Sequence, residues 1–146
     1  MGKSPMYNKN YECKYLEWDT EYFGIPSARI NLNGIIDVES QDDIIEYCKK
    51  YEFVTISNLG NLSENNYWIG NRTNAFLTDV NIQFIKSADK RVNNQIKNTY
   101  VKNRLVKNDE IIDIAKSSFN YSRFFNDSNI PTELGEEIYV HWTMCA

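Results

Sequence analysis

The chain has 146 residues, 42% apolar and 25% charged, with a formal net charge of −4. That balance excludes wholesale disorder and suits one globular domain, or a domain with part of a second. The acidic charge also excludes a surface that attracts nucleic acid or anionic membrane as a whole. No apolar run reaches membrane-spanning length and the N-terminus lacks the apolar core of a signal peptide, so a soluble cytoplasmic protein is expected. Aromatic residues make up 14% of the chain, which predicts an aromatic-rich core.

In chain order, Gly24 and Pro26 punctuate two strand-like pieces within residues 11–32, and Ala28 to Leu32 alternates as a half-buried strand does. Ser40, with Asp43 three residues on, reads as a variant capping box opening an amphipathic helix over 41–51, whose apolar face is Ile44, Ile45, Cys48 and Tyr51. Phe53 to Ser57 is β-branched and aromatic, and reads as a strand. The Asn-rich piece from Gly60 to Asn74 reads as a loop with one or two helical turns. In AFLTDVNIQFIK, residues Phe76, Thr78, Val80, Ile82 and Phe84 share a face at period two, which makes this the clearest strand pattern in the chain.

Hydrophobic residues almost vanish between Ser87 and Asn98, as in a linker, and a strand in TYVKNRLV follows. Asn108 can cap the next helix, with Asp109 and Glu110 in its first turn and Ile111, Ile112, Ile114, Ala115 and Phe119 on its buried face. Pro131 suits the first turn of a last helix that carries Leu134, Ile138 and Trp142 at i, i+4 and i+8. The fold class is therefore mixed α/β, with an N-terminal lobe over 1–86, a linker over 87–98 and a second part over 99–146.

Chemical signals are sparse. His141 is the single histidine and has no nucleophile or acid pattern beside it. Cys13, Cys48 and Cys145 match neither zinc spacing nor a disulfide framework and read as reduced structural thiols, so no metal site is expected. Met6 stands where a myristoylation signal carries Ser or Thr. Asp42 and Asp43 read as solvated. Neither common phosphate-cradling glycine motif is present. Seven basic residues (Lys86, Lys90, Arg91, Lys97, Lys102, Arg104, Lys107) stand against one acid, Asp89, which fits a solvated linker at least as well as a diphosphate or nucleotide site. Asp79 is a candidate general base if its strand face lines a cleft, and a surface carboxylate otherwise. Ser122, Arg123, Phe124, Phe125, Asn126 and Asp127 gather a hydroxyl, a cation, two aromatics and an acid between two helices. They read either as a pocket or as an Arg123–Asp127 pair with both rings in the core.

Leu16-Glu17-Trp18-Asp19-Thr20-Glu21-Tyr22-Phe23-Gly24 resembles the opening of a bacterial GNAT-superfamily group, that of TDP-fucosamine N-acetyltransferase and its relatives. In the same order, Ile114-Ala115 with Ser117-Ser118-Phe119, then Ser122-Arg123-Phe124, then Tyr139 to Trp142 resemble that group's second block. The resemblance implies an N-terminal α/β lobe followed by the first strand and first two helices of a GNAT domain. It implies that an amine attacks the acetyl-CoA thioester in a ternary complex, with the pyrophosphate on a Gly-rich turn at a helix start. Those cofactor elements, and the tyrosine that commonly protonates the thiolate, follow the second helix in such domains. The 146 residues stop there, so the expectation is an acceptor-side part that is inactive alone and has no cofactor-binding residues of its own.

By alignment the family's base position falls on Leu77, two residues before Asp79, which leaves the base unassigned. Ser122, Arg123 and Phe124 match residue by residue and are the substrate-side candidates. The expected partner is a nucleotide-linked amino sugar. A non-enzymatic ligand-binding or dimerising module is the alternative.

Overall fold

A computed structural model describes residues 10–85, 87, 109–119 and 121–145, and the backbone of 6–8. The chain divides into two compact units, Met1–Phe76 and Leu77–Ala146. The division falls before the expected end of the first lobe at 86. The expected linker, the TYVKNRLV strand, the Asn108 cap and the seven basic residues lie outside the described residues, apart from Ser87. The architecture is mixed α/β, as the sequence predicts.

The first unit is built on a sheet in the order β1 (Met6–Asn8), β2 (Tyr11–Tyr15), β3 (Ser27–Leu32), β4 (Phe53–Asn58), the last pair parallel and the others antiparallel. Central β3 is the apolar axis. Ser27, Ala28, Ile30 and Leu32 are fully buried, while Arg29 and Asn31 between them reach partial exposure, the alternation of a strand with one closed face. Tyr11, Cys13, Ile36, Ile44, Tyr47, Tyr51 and Trp68 close around it. Fully burying side chains such as Ile30, Leu32 and Ile44 is worth about 1.5–3 kcal/mol each.

Between β2 and β3 the structure places a helix, α1 (Glu17–Phe23), where the sequence pattern suggested only strands. Its driving contacts are one ring pair a turn apart within the helix and one ring contact to the sheet. Trp18 stacks on Tyr22 with ring centroids 4.9 Å apart, and Phe23 packs on Phe53 of β4 at 5.5 Å. Gly24 ends the helix at φ +69°, a left-handed conformation that side chains disfavour. The Ser27 amide then donates to Thr20 Oγ1 at 2.9 Å, and Leu16 N to Ser27 O at 2.9 Å, so β3 starts against the helix.

The next helix, α2 (Val38–Cys48), begins three residues before the predicted 41. Asp37, not Ser40, is the cap: its Oδ1 accepts the Ser40 N–H at 2.8 Å. Ser40 is therefore the third residue of the helix and is buried. Reading the cap from the hydroxyl alone missed an aspartate at the correct spacing. The Asn-rich piece forms a ten-residue helix, α3 (Ser63–Arg72), longer than the one or two turns expected.

Its key residue is Asn65, fully buried. Asn65 Nδ2 donates to Gly34 O at 2.9 Å and to Asn58 Oδ1 at 3.1 Å, and Oδ1 accepts from Ile36 N at 3.2 Å and Trp68 Nε1 at 3.3 Å. One amide thus fixes the β3–α2 turn, the end of β4 and α3. The exposed Asp42 meets Arg72 across α2 and α3.

The strand expected in AFLTDVNIQFIK is not observed. Residues 74–85 have no regular structure, and Phe76, Leu77, Val80, Ile82, Phe84 and Ile85 are all at least half exposed. A period-two pattern supplies one apolar face but no hydrogen-bonding neighbour, and a strand needs both. Here the Thr78 carbonyl accepts instead from Asn126 Nδ2 at 2.8 Å.

Replacing Asn65 with Ala leaves buried partners unsatisfied at about 1–3 kcal/mol each. Urea denaturation should therefore show a loss on the order of 3–5 kcal/mol for Asn65→Ala, against less than about 1 kcal/mol for the exposed Asn66→Ala. The Ser40 amide holds the Asp37 carboxyl below the ordinary aspartate range. A carboxyl so depressed stabilises the fold when ionised, and that contribution is lost as pH falls below about 4. Asp37→Asn, which caps without charge, should flatten the fall in denaturation midpoint between about pH 5 and 3.

Candidate functional site

Three helices form the described part of the second unit: α4 (Asp109–Ser117), α5 (Arg123–Asn126) and α6 (Thr132–Cys145). α4 stops where Ser118 N and Oγ both bond Ile114 O, at 2.9 and 2.6 Å, and Ser117 Oγ bonds Asp113 O at 2.8 Å, since hydroxyls that bond back to the helix offer the chain a way out of it. Of its predicted buried face, Ala115 is buried and Ile111 and Ile112 are half-buried, but Ile114 and Phe119 are exposed. The 3.6-residue period selects a stripe; the neighbouring helix covers only part of it.

Pro131 lies just outside α6, its carbonyl accepting from Leu134 N at 3.0 Å and Gly135 N at 3.2 Å. On α6, Ile138 and Tyr139 are buried, Leu134 is half-buried and Trp142 is 42% exposed. Tyr139, which the apolar stripe did not select, is the hub. It stacks on Phe119 at 4.4 Å and on Phe125 at 6.1 Å, and meets Phe124 and Trp142 edge to face at 6.3 and 5.5 Å. Such pairs add about 0.5–1.5 kcal/mol each beyond their buried area. Gly135 lets α5 approach: a methyl group there would sit 3.2 Å from Phe125 Cε1 and 3.4 Å from Phe124 O.

The three substrate-side candidates stand at this junction. Ser122 precedes α5 in extended conformation, and its carbonyl accepts from Phe125 N and Asn126 N at 3.0 Å each. Its Oγ is buried, caps nothing and has no hydrogen-bond partner. The Arg123 guanidinium carbon lies 4.5 Å from the Phe124 ring centroid, and Phe124 is buried. Asp127, the acid of this segment, accepts from the Asn129 backbone and side-chain nitrogens at 2.9 Å each, forming a local turn. A hydroxyl without a partner, a cation and aromatic faces are thus brought together.

Asp79 follows Thr78, whose carbonyl accepts from Asn126 of this segment, but it is exposed, on chain without regular structure, so the strand face meant to present it as a base does not form. His141 is exposed on α6, its Nε2 3.6 Å from Cys145 Sγ. Cys13 and Cys48 belong to the other unit; burial pushes their thiols up to about 12 and about 11, unsuited to nucleophilic work. The Asn58, Asn61, Asn65 and Asn66 amides gather beyond the ends of parallel β3 and β4, where α/β folds often hold ligands, but they bond one another. Among the described residues, no group of three or more His, Cys, Asp and Glu side chains is placed to hold a metal, and no helix is long and apolar enough to cross a membrane.

Each long helix opens on acid: Glu39 in α2, Glu64 in α3, Asp109 and Glu110 in α4, Glu133 in α6. Carboxylates there take the position an anion would use.

No family model, curated protein or solved structure was found to match this chain. Ser122→Ala gives a test of the site that is independent of any ligand. Removing a buried oxygen without a partner should leave stability unchanged or raise it by up to about 1 kcal/mol, where loss of a working cap would cost about 1 kcal/mol. Calorimetric unfolding of the purified chain distinguishes the two.

Proposed function

We propose that this chain carries the acceptor side of a GNAT-type N-acetyltransferase acting on a nucleotide-linked amino sugar, and that these 146 residues alone do not transfer acetyl. The observation that carries the reading is the buried Ser122 Oγ without a partner, next in sequence to Arg123, which lies over the Phe124 ring of an aromatic cluster with Tyr139 and Trp142. A sugar hydroxyl supplies the bond that Ser122 lacks. A guanidinium stacked on a ring keeps its N–H donors in one plane, the geometry that phosphate oxygens accept. Aromatic faces suit a sugar ring or a base. The motif order from Leu16 to Trp142 supports the family reading. The general base stays unassigned, since Asp79 is exposed on chain without regular structure, and no step is drawn through acetyl-CoA.

A second reading, a dimerising module without catalysis, draws on the apolar surface of the second unit. Ile114, Phe119, Tyr121 and Met144 are 62%, 51%, 89% and 47% exposed, and such surface often marks association.

Calorimetric titration with a TDP-linked amino sugar separates the two. Binding that weakens roughly tenfold to a hundredfold in Arg123→Ala, the range for a charge-assisted phosphate contact, supports the acceptor reading. No binding at millimolar sugar, together with a sedimentation coefficient that rises with concentration, supports the module. Acetylation of the sugar by this chain with added acetyl-CoA would overturn the claim that it is inactive alone.

A further inference from the structure

Along α6, His141 and Cys145 are spaced i, i+4 and so share a helix face. Both are exposed, and Nε2 lies 3.6 Å from Sγ. Zinc takes imidazole nitrogen at about 2.1 Å and thiolate sulfur at about 2.3 Å, and a tetrahedral angle between those bonds separates the two donors by about 3.6 Å. The observed spacing matches the edge of a zinc tetrahedron.

We propose that the C-terminal end of α6 is a two-ligand site for a zinc-class divalent cation, held by His141 Nε2 and Cys145 Sγ, with water completing the coordination. The last turn of α6 contains no basic residue to repel a cation. Soft thiolate and imidazole select zinc-class ions over magnesium or calcium. No third His, Cys, Asp or Glu side chain joins the pair among the described residues, so water fills the other positions. On binding, the thiol proton leaves to solvent and the neutral imidazole donates its lone pair; no electron changes hands. The ion clips the last turn of α6, C-terminal to the Tyr139 hub.

Cobalt(II) is the spectroscopic probe, titrated into the reduced, full 146-residue chain. The expected result is a thiolate-to-cobalt charge-transfer band that zinc(II) displaces. The band disappears in Cys145→Ser. In His141→Ala, cobalt affinity falls by at least about tenfold, the least that losing even an outer partner of a ligand costs. Both side chains are exposed, so the variants should keep the parent's circular dichroism. Absence of the band at millimolar cobalt, its survival in Cys145→Ser, or unchanged affinity in His141→Ala would each overturn the proposal and leave the contact as a thiol–imidazole hydrogen bond.

Discussion

The first unit depends on a single buried amide. Asn65 sits where the β3–α2 turn, the end of β4 and the first turns of α3 converge, and its two donors and two acceptor bonds are all used. A buried amide satisfied on every side costs little to desolvate and locks its partners in one geometry, whereas the same amide half satisfied would oppose folding. The apolar closure around Ile30, Leu32 and Ile44 supplies the larger free energy, but it is non-directional. The amide sets where α3 lies over that core.

In the second unit the organising element is aromatic instead. Tyr139 gathers Phe119, Phe124, Phe125 and Trp142, and Gly135 removes the side chain that would hold α5 away. Packing the rings this way fixes Ser122 and Arg123 at the edge of the cluster. The proposed acceptor site is thus a by-product of how the core of the unit closes. That is why its residues are adjacent in sequence.

Much of the fold could be read in advance where local chemistry and tertiary environment agree. The strands at Ala28–Leu32 and Phe53–Ser57, the α2 helix and the final two long helices follow from periodicity. The α1 helix escaped because aromatic residues favour strands by propensity, and only the Trp18–Tyr22 and Phe23–Phe53 contacts reverse that preference. α3 escaped because asparagine ordinarily marks loops, and its helix is held by bonds to residues some 30 positions earlier. The His141–Cys145 pair escaped because metal-site reading looks for three or four ligands.

The sequence by itself determined the α/β class, the central strand, the helix faces in outline and the cluster at Ser122, Arg123 and Phe124, because periodicity, capping and adjacency are local properties. Tertiary structure alone decided that Asn65 is a core residue, that Tyr139 outranks Trp142 in burial, and that Phe76 to Phe84 forms no strand. Each of these turns on which neighbour supplies a hydrogen-bond partner or a covering face, and a one-dimensional pattern names the need for a neighbour without naming the neighbour.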